Sequence, residues 1–161
     1  YQDEKEFFIF LPRIGFMLTL DKTYDKVKYF AYGPQETYSD MYHFAKKGEY
    51  ENTVEKEYYH YVKPQESGSH FSADWAEVTD GKNVVRIEGM QSFSALPYSW
   101  NILANTAHDD ELPEPTATYL SADFYMTGVG SGHCGSLPSE DCRVPHVGKG
   151  EICFIFKKEK I

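Results

Sequence analysis

Two stretches carry carboxylates in matching surroundings: "YGPQETY" at 32–38 and "VKPQESG" at 62–68. Each places a glutamate, Glu36 or Glu66, directly after Pro-Gln, with the copies about thirty residues apart. Two carboxyl groups held ~5 Å apart at a pocket floor can cleave a glycosidic bond with retention, one as acid/base and one as nucleophile. Both glutamates stand where strand-like runs give way to turns. A carboxylate at a turn also accepts backbone N–H bonds and fixes the corner. The spacing neither joins the two nor separates them, and corner fixing is the expected role.

Other residues could do chemistry. His133, Cys134, Cys142 and His146 offer two N and two S ligands within fourteen residues, a set zinc accepts. Their spacing matches no standard knuckle, so a Gly- and Pro-rich loop with incidental His and Cys is expected, and no metal. A Cys134–Cys142 disulfide would suit an exported protein. The run "GSGHCGS" does not form a nucleophile elbow, and no phosphate-binding lysine follows its glycines. His108 in "NTAHDDEL" could act as an acid–base, but a histidine fixed by Asp109, Asp110 or Glu111 is commoner. In "ATYLSADFYMTGVGSG", alternation puts Thr118, Leu120, Ala122, Phe124 and Met126 on one face. Tyr119, Ser121, Asp123 and Tyr125 take the other, a ring–hydroxyl–carboxylate–ring surface suited to a polyol or simply to water.

The elements that must hold these groups read as all-β. Strand-like runs cover 14–20, 26–32, 57–63 and 151–157, with a further apolar run at 7–11. The clearest hairpin is "FSADWAEVTDGKNVVRIEG", turning at Asp80-Gly81 with positive φ angles. Phe71, Ala73 and Trp75 would share one face, Val85 and Ile87 would point inward, and Trp75 and Phe93 are core candidates. Two short helices are expected. One is capped by Ser99, with Trp100, Leu103, Ala104 and Ala107 on a stripe; the other covers 40–47, with Asp40 at its start.

The chain has 161 residues, suggesting one domain over 1–161 with a real core. Its net charge of -9 argues against a nucleic-acid partner and an anionic membrane surface. No apolar run approaches the length of a spanning helix. Thirteen Tyr, eleven Phe and two Trp favour strands and supply ring faces on which a pyranose packs. Three cysteines suggest a reduced compartment rather than a disulfide framework.

The ordered motifs "RIGFMLTL", "KVKYFAYGPQETYSDM", "YVKPQESGSHFSADWAEVT", "FSALPYSWNILANTAHDDEL" and "TYLSADFYMTGVGSGHCG" carry a resemblance. Together they resemble the C-terminal, small-chain domain of bacterial β-galactosidases of glycoside hydrolase family two, from about Arg13 to the end. The resemblance implies an antiparallel β-supersandwich of the galactose-mutarotase-like class, here partial. The catalytic glutamates would lie on a barrel domain outside this chain, so Glu36 and Glu66 would be architectural. The magnesium and sodium of that family would bind elsewhere, leaving no cofactor in this domain. Partners would be the remaining domains of the same polypeptide and a galactoside, in a homo-oligomeric parent. The expected compartment is the cytoplasm, with the periplasm as an alternative.

One position carries over: Tyr119, in "ATYLSAD", matches a side chain that reaches the pocket on the leaving-group side. Tyrosine in place of tryptophan gives less stacking area and adds a hydroxyl. Ser131 stands where a glycine is frequent. Three other readings remain open: a free-standing carbohydrate-binding module, a mutarotase-type epimerase using His108, and a purely structural domain. The opening at Tyr1, running at once into apolar sequence, suggests a chain cut from something longer, and "KKEKI" suits a natural C-terminus.

Overall fold

The computed structural model describes residues 11–130, 138–144 and 151–158. The run at 7–11 falls almost wholly outside them. The chain forms two antiparallel sheets. One has four strands in the order β1 (Arg13–Asp21), β8 (Ala117–Met126), β7 (Ser92–Leu96), β4 (His70–Phe71). The other has five, in the order β3 (Lys46–Thr53), β2 (Lys26–Gly33), β5 (Trp75–Thr79), β6 (Asn83–Glu88), β9 (Cys153–Lys158). The helices among the described residues are short: α1 (Val54–Glu57), α2 (Trp100–Asn105) and two 3-10 turns, Asp109–Glu111 and Glu140–Cys142.

Side-chain alternation explains the core. Val27, Tyr29 and Ala31 of β2 face Ala76 and Val78 of β5, then Val85 and Ile87 of β6. Phe93 and Ala95 of β7 and Leu120 and Ala122 of β8 close on them from the other sheet. All of these are buried, and burial of such apolar surface is the main force joining the sheets.

The sandwich is open along one side. Edge strands β1 and β9 lie together there, and Phe16 stands 5.8 Å from Phe124 and 6.2 Å from Phe154. Phe16 pairs with Ala122 and Phe156 with Val85, so both sit in core-facing register. Yet they are 53% and 68% exposed, because among the described residues no strand covers them.

Several expectations are corrected. Residues 40–47 hold turns rather than a helix, and strand β3 begins at Lys46. Residues 57–63 are not a strand: α1 ends at Glu57 and an irregular segment follows. Trp75 points outward, with the Arg86 guanidinium 4.5 Å over its ring. The chain passes from the four-stranded to the five-stranded sheet between Phe71 and Trp75, through Ser72 at φ 55°, so the alternation does not carry across. The β5–β6 turn has positive φ only at Gly81; the Asp80 carboxylate instead accepts from the Lys82 and Asn83 N–H groups. Ser99 does cap α2, accepting from Ile102 N at 3.3 Å, but only Leu103 of the predicted stripe is buried.

Candidate functional site

The two Pro-Gln-Glu segments meet. Thr37 N donates to Ser69 O at 2.7 Å, and Gly68 N donates to Glu36 Oε2 at 2.8 Å. Gly68 adopts φ +64°, and a Cβ there would collide with the Glu57 carbonyl. Glu36 also accepts from the Tyr38 hydroxyl at 3.0 Å and from the Tyr61 hydroxyl. Three donors therefore fix this carboxylate, and it ties one tripeptide to the other. Burial, reinforced by Glu66 and Glu36, pushes the Tyr38 phenol well above its ordinary value.

Glu66 fixes its corner differently, through a cation rather than backbone N–H groups. Arg13 reaches it with Nη1 at 3.1 Å and Nη2 at 3.4 Å. The same Nη2 donates to Asp123 Oδ2 at 2.9 Å, and the guanidinium lies 4.3 Å from the Trp100 ring centre. One cation thus serves two carboxylates and joins β1, β8, α2 and the second tripeptide. Burial raises the Glu66 carboxyl above its usual range against the pull of Arg13. Burial likewise pushes Asp123 up to about 6, against Arg13 and the nearby Ser92 hydroxyl. Asp123 Oδ1 and Arg13 Nε make no well-formed hydrogen bond. Gly15, opposite Asp123, is required: a side chain there would strike Oδ1 and the Ala122 carbonyl.

The outer face of β8 is therefore not an open polyol surface, nor a solvated one. Ser121 and Asp123 are buried at 2% and 0% exposure. Arg13 covers Asp123, and Tyr58 and Leu103 pack over Leu96 on the neighbouring strand. Tyr119 stays half-buried on this face, between Thr19 of β1 and Leu96 of β7. Its hydroxyl has no protein partner among the described residues.

The exit of β8 is pinned at several points. Thr127 N donates to Pro12 O at 2.9 Å and its hydroxyl to Leu11 O at 2.9 Å. Gly128 N donates to Cys142 O at 2.8 Å, and Val144 N to Thr127 Oγ1 at 3.0 Å. Asp40, placed by sequence at a helix start, instead accepts from Val129 N at 3.0 Å and Gly130 N at 2.8 Å. A side chain at Gly128 would run into that carboxylate.

Of the candidate metal set, His133, Cys134 and His146 lie outside the described residues. Cys142 has a free thiol that donates to Ser39 O at 3.6 Å. Among the described residues no His/Cys/Asp/Glu group is arranged to hold a metal ion, and no helix is long and apolar enough to cross a membrane. His108 is exposed; its backbone N–H donates to Glu111. The histidine held by Asp109 is His60, at 2.8 Å, and this contact lowers the Asp109 pKa.

One buried pair had no signal in the sequence. His70 Nε2 lies 2.5 Å from Glu57 Oε2, and the other Glu57 oxygen accepts from Asn52 at 2.8 Å. The imidazole sits between the rings of Tyr29 and Phe93, with Nδ1 3.2 Å from Tyr32 O. Glu57 and His70 are thirteen apart, and only His70 falls within a quoted motif.

Fold and site together define an all-β, two-sheet domain whose partly buried carboxylates are tied into internal bonds. The chain matches the family described as "Beta galactosidase small chain" over residues 2–157 and belongs to that family. It is 38% identical over 127 residues to a β-galactosidase of Actinobacillus pleuropneumoniae, covering 78% of this chain and 12% of the relative. A Staphylococcus xylosus β-galactosidase is 35% identical over 137 residues, covering 84% of this chain and 14% of the relative. The β-galactosidase BgaC of Bifidobacterium adolescentis is 37% identical over 126 residues, covering 74% and 12%. The chain thus spans only a small part of the length of these relatives.

Proposed function

We propose that this chain is the C-terminal, non-catalytic part of a glycoside hydrolase family two β-galactosidase, with a partial mutarotase-like supersandwich. The whole enzyme hydrolyses terminal β-galactosides of the lactose type with retention, by double displacement at carboxylates carried elsewhere in the polypeptide. One observation supports this above the rest. Glu36, Glu57, Glu66 and Asp123, the partly or fully buried carboxylates of the clefts and clamp, are all committed to fixed partners within the domain. A retaining pair needs one carboxylate free to attack and one free to give up a proton.

In this reading the domain contacts the remaining domains of its own chain in a homo-oligomeric, cytoplasmic enzyme, and Tyr119 contributes a ring and hydroxyl on the aglycone side. Tyr119→Ala in the full-length enzyme tests that contact. Losing an aromatic contact should raise KM for lactose by up to about tenfold. Unchanged kinetics would reduce the domain to a structural role.

A further inference from the structure

The first tripeptide also borders a cleft that none of these roles uses. It has a volume of about 460 Å³, within the size range of small-ligand pockets. Tyr59, Tyr61 and Phe44 supply its rings, and Glu36 and Glu57 are its lining carboxylates. Phe44 is 61% and Tyr59 59% exposed, so neither ring serves the core. Tyr59 and Tyr61 are 4.6 Å apart, inclined at 46°, forming an angled platform.

The platform is preorganised. The Tyr61 hydroxyl is bound to Glu36, which Tyr38 and Gly68 hold in turn. Both lining carboxylates are held by internal partners, Glu57 by His70 and Asn52. The polar groups left for a ligand are on the rim. The Gln35 amide and the Lys56 ammonium are exposed and have no partner among the described residues. Ring faces together with unpaired donors match a neutral pyranoside, whose C–H face packs on aromatics and whose hydroxyls accept hydrogen bonds.

We propose that this cleft is a saccharide-binding subsite for a β-galactoside, separate from Tyr119. It goes beyond the function proposed above, and its failure reads out separately: saccharide binding by the 161-residue chain is measured here, enzyme kinetics there. The 15N-labelled chain is titrated with methyl β-galactoside and lactose, with myo-inositol as control. The expected result is saturable shifts confined to residues 34–36, 41–44 and 56–61, with a Kd on the order of 1 mM. Tyr59→Ala, a surface change, should weaken binding about tenfold, and Lys56→Ala should weaken it several-fold while the remaining spectrum is unchanged. Should Tyr59→Ala disturb the fold, Lys56→Ala and Gln35→Ala carry the test. Absent or non-saturable shifts, equal response to inositol, shifts clustered at Tyr119 instead, or unaffected binding in the folded variants would each overturn the proposal.

Discussion

Asp123 is the most exposing place to perturb the domain. Its carboxyl is fully buried and titrates at about 6 in the fold, against about 3.9 in an unfolded chain. A raised pKa means that the folded state binds this proton more tightly than the unfolded state does. Folding is therefore favoured by this group below about pH 4, and that advantage is lost as pH rises through about 6. Two units at ~1.4 kcal/mol each make the difference about 3 kcal/mol. Glu66, also raised by burial, shares Arg13 with Asp123 and titrates with it in the same direction. Glu36 stands close enough to oppose ionisation of Glu66. Asp123→Asn keeps the shape and removes the titration. Urea unfolding from pH 4 to 7.5, followed by Trp fluorescence, gives both stabilities. The pull of Arg13 on the ionised carboxylate is already contained in the Asp123 pKa, so it belongs to the pH trend. Wild-type stability minus variant stability should fall by about 2 kcal/mol between pH 4 and pH 7, the larger part of the full difference. A difference that is flat, or that rises with pH, would refute the reasoning that burial outweighs the Arg13 bridge.

Two further perturbations have definite outcomes. Gly128→Ala should destabilise the domain, while Gly128→Ala combined with Asp40→Ala should cost less than the two changes summed, with a coupling of about 0.5–3 kcal/mol in urea melts; strict additivity would show that the carboxylate does not buckle the β8 exit. Phe16→Lys with Phe156→Lys should shift a concentrated sample from associated species toward monomer in sedimentation equilibrium, since both rings stand exposed at the open side of the sandwich; a wild-type chain that is already monomeric at high concentration would contradict this.

Much of the fold was legible because most strands carry one apolar face. Strands β1, β2, β6, β8 and β9 follow their alternation or apolar runs, and Ser99 announced α2. Strand β3 was hidden for a physical reason. It is an edge strand reading "KKGEYENT", held partly by Lys28 bridging Glu49 at 2.9 Å and Glu51 at 3.1 Å, and so it shows no hydrophobic period. The aromatic alternation at 57–63 misled in the opposite sense. Tyr58 turns into a small core with Leu96 and Leu103, while Tyr59 faces a cleft, without any strand pairing. The corner role of Glu36 was readable from Pro-Gln-Glu. The Arg13 clamp was not, since Glu66 and Asp123 lie 53 and 110 residues from the arginine. Local pattern reports turns and faces; it does not report which distant charges the sheets bring together.

The central claim is that the reactive carboxylates lie outside this chain. The direct measurement is release of nitrophenol from nitrophenyl β-galactoside by the purified 161-residue chain, alone and within the full-length β-galactosidase proposed above. The expected result is no release above the uncatalysed rate for the chain alone and full turnover for the full-length protein. Sustained release by the chain alone, abolished by Glu36→Gln or Glu66→Gln, would contradict the claim outright.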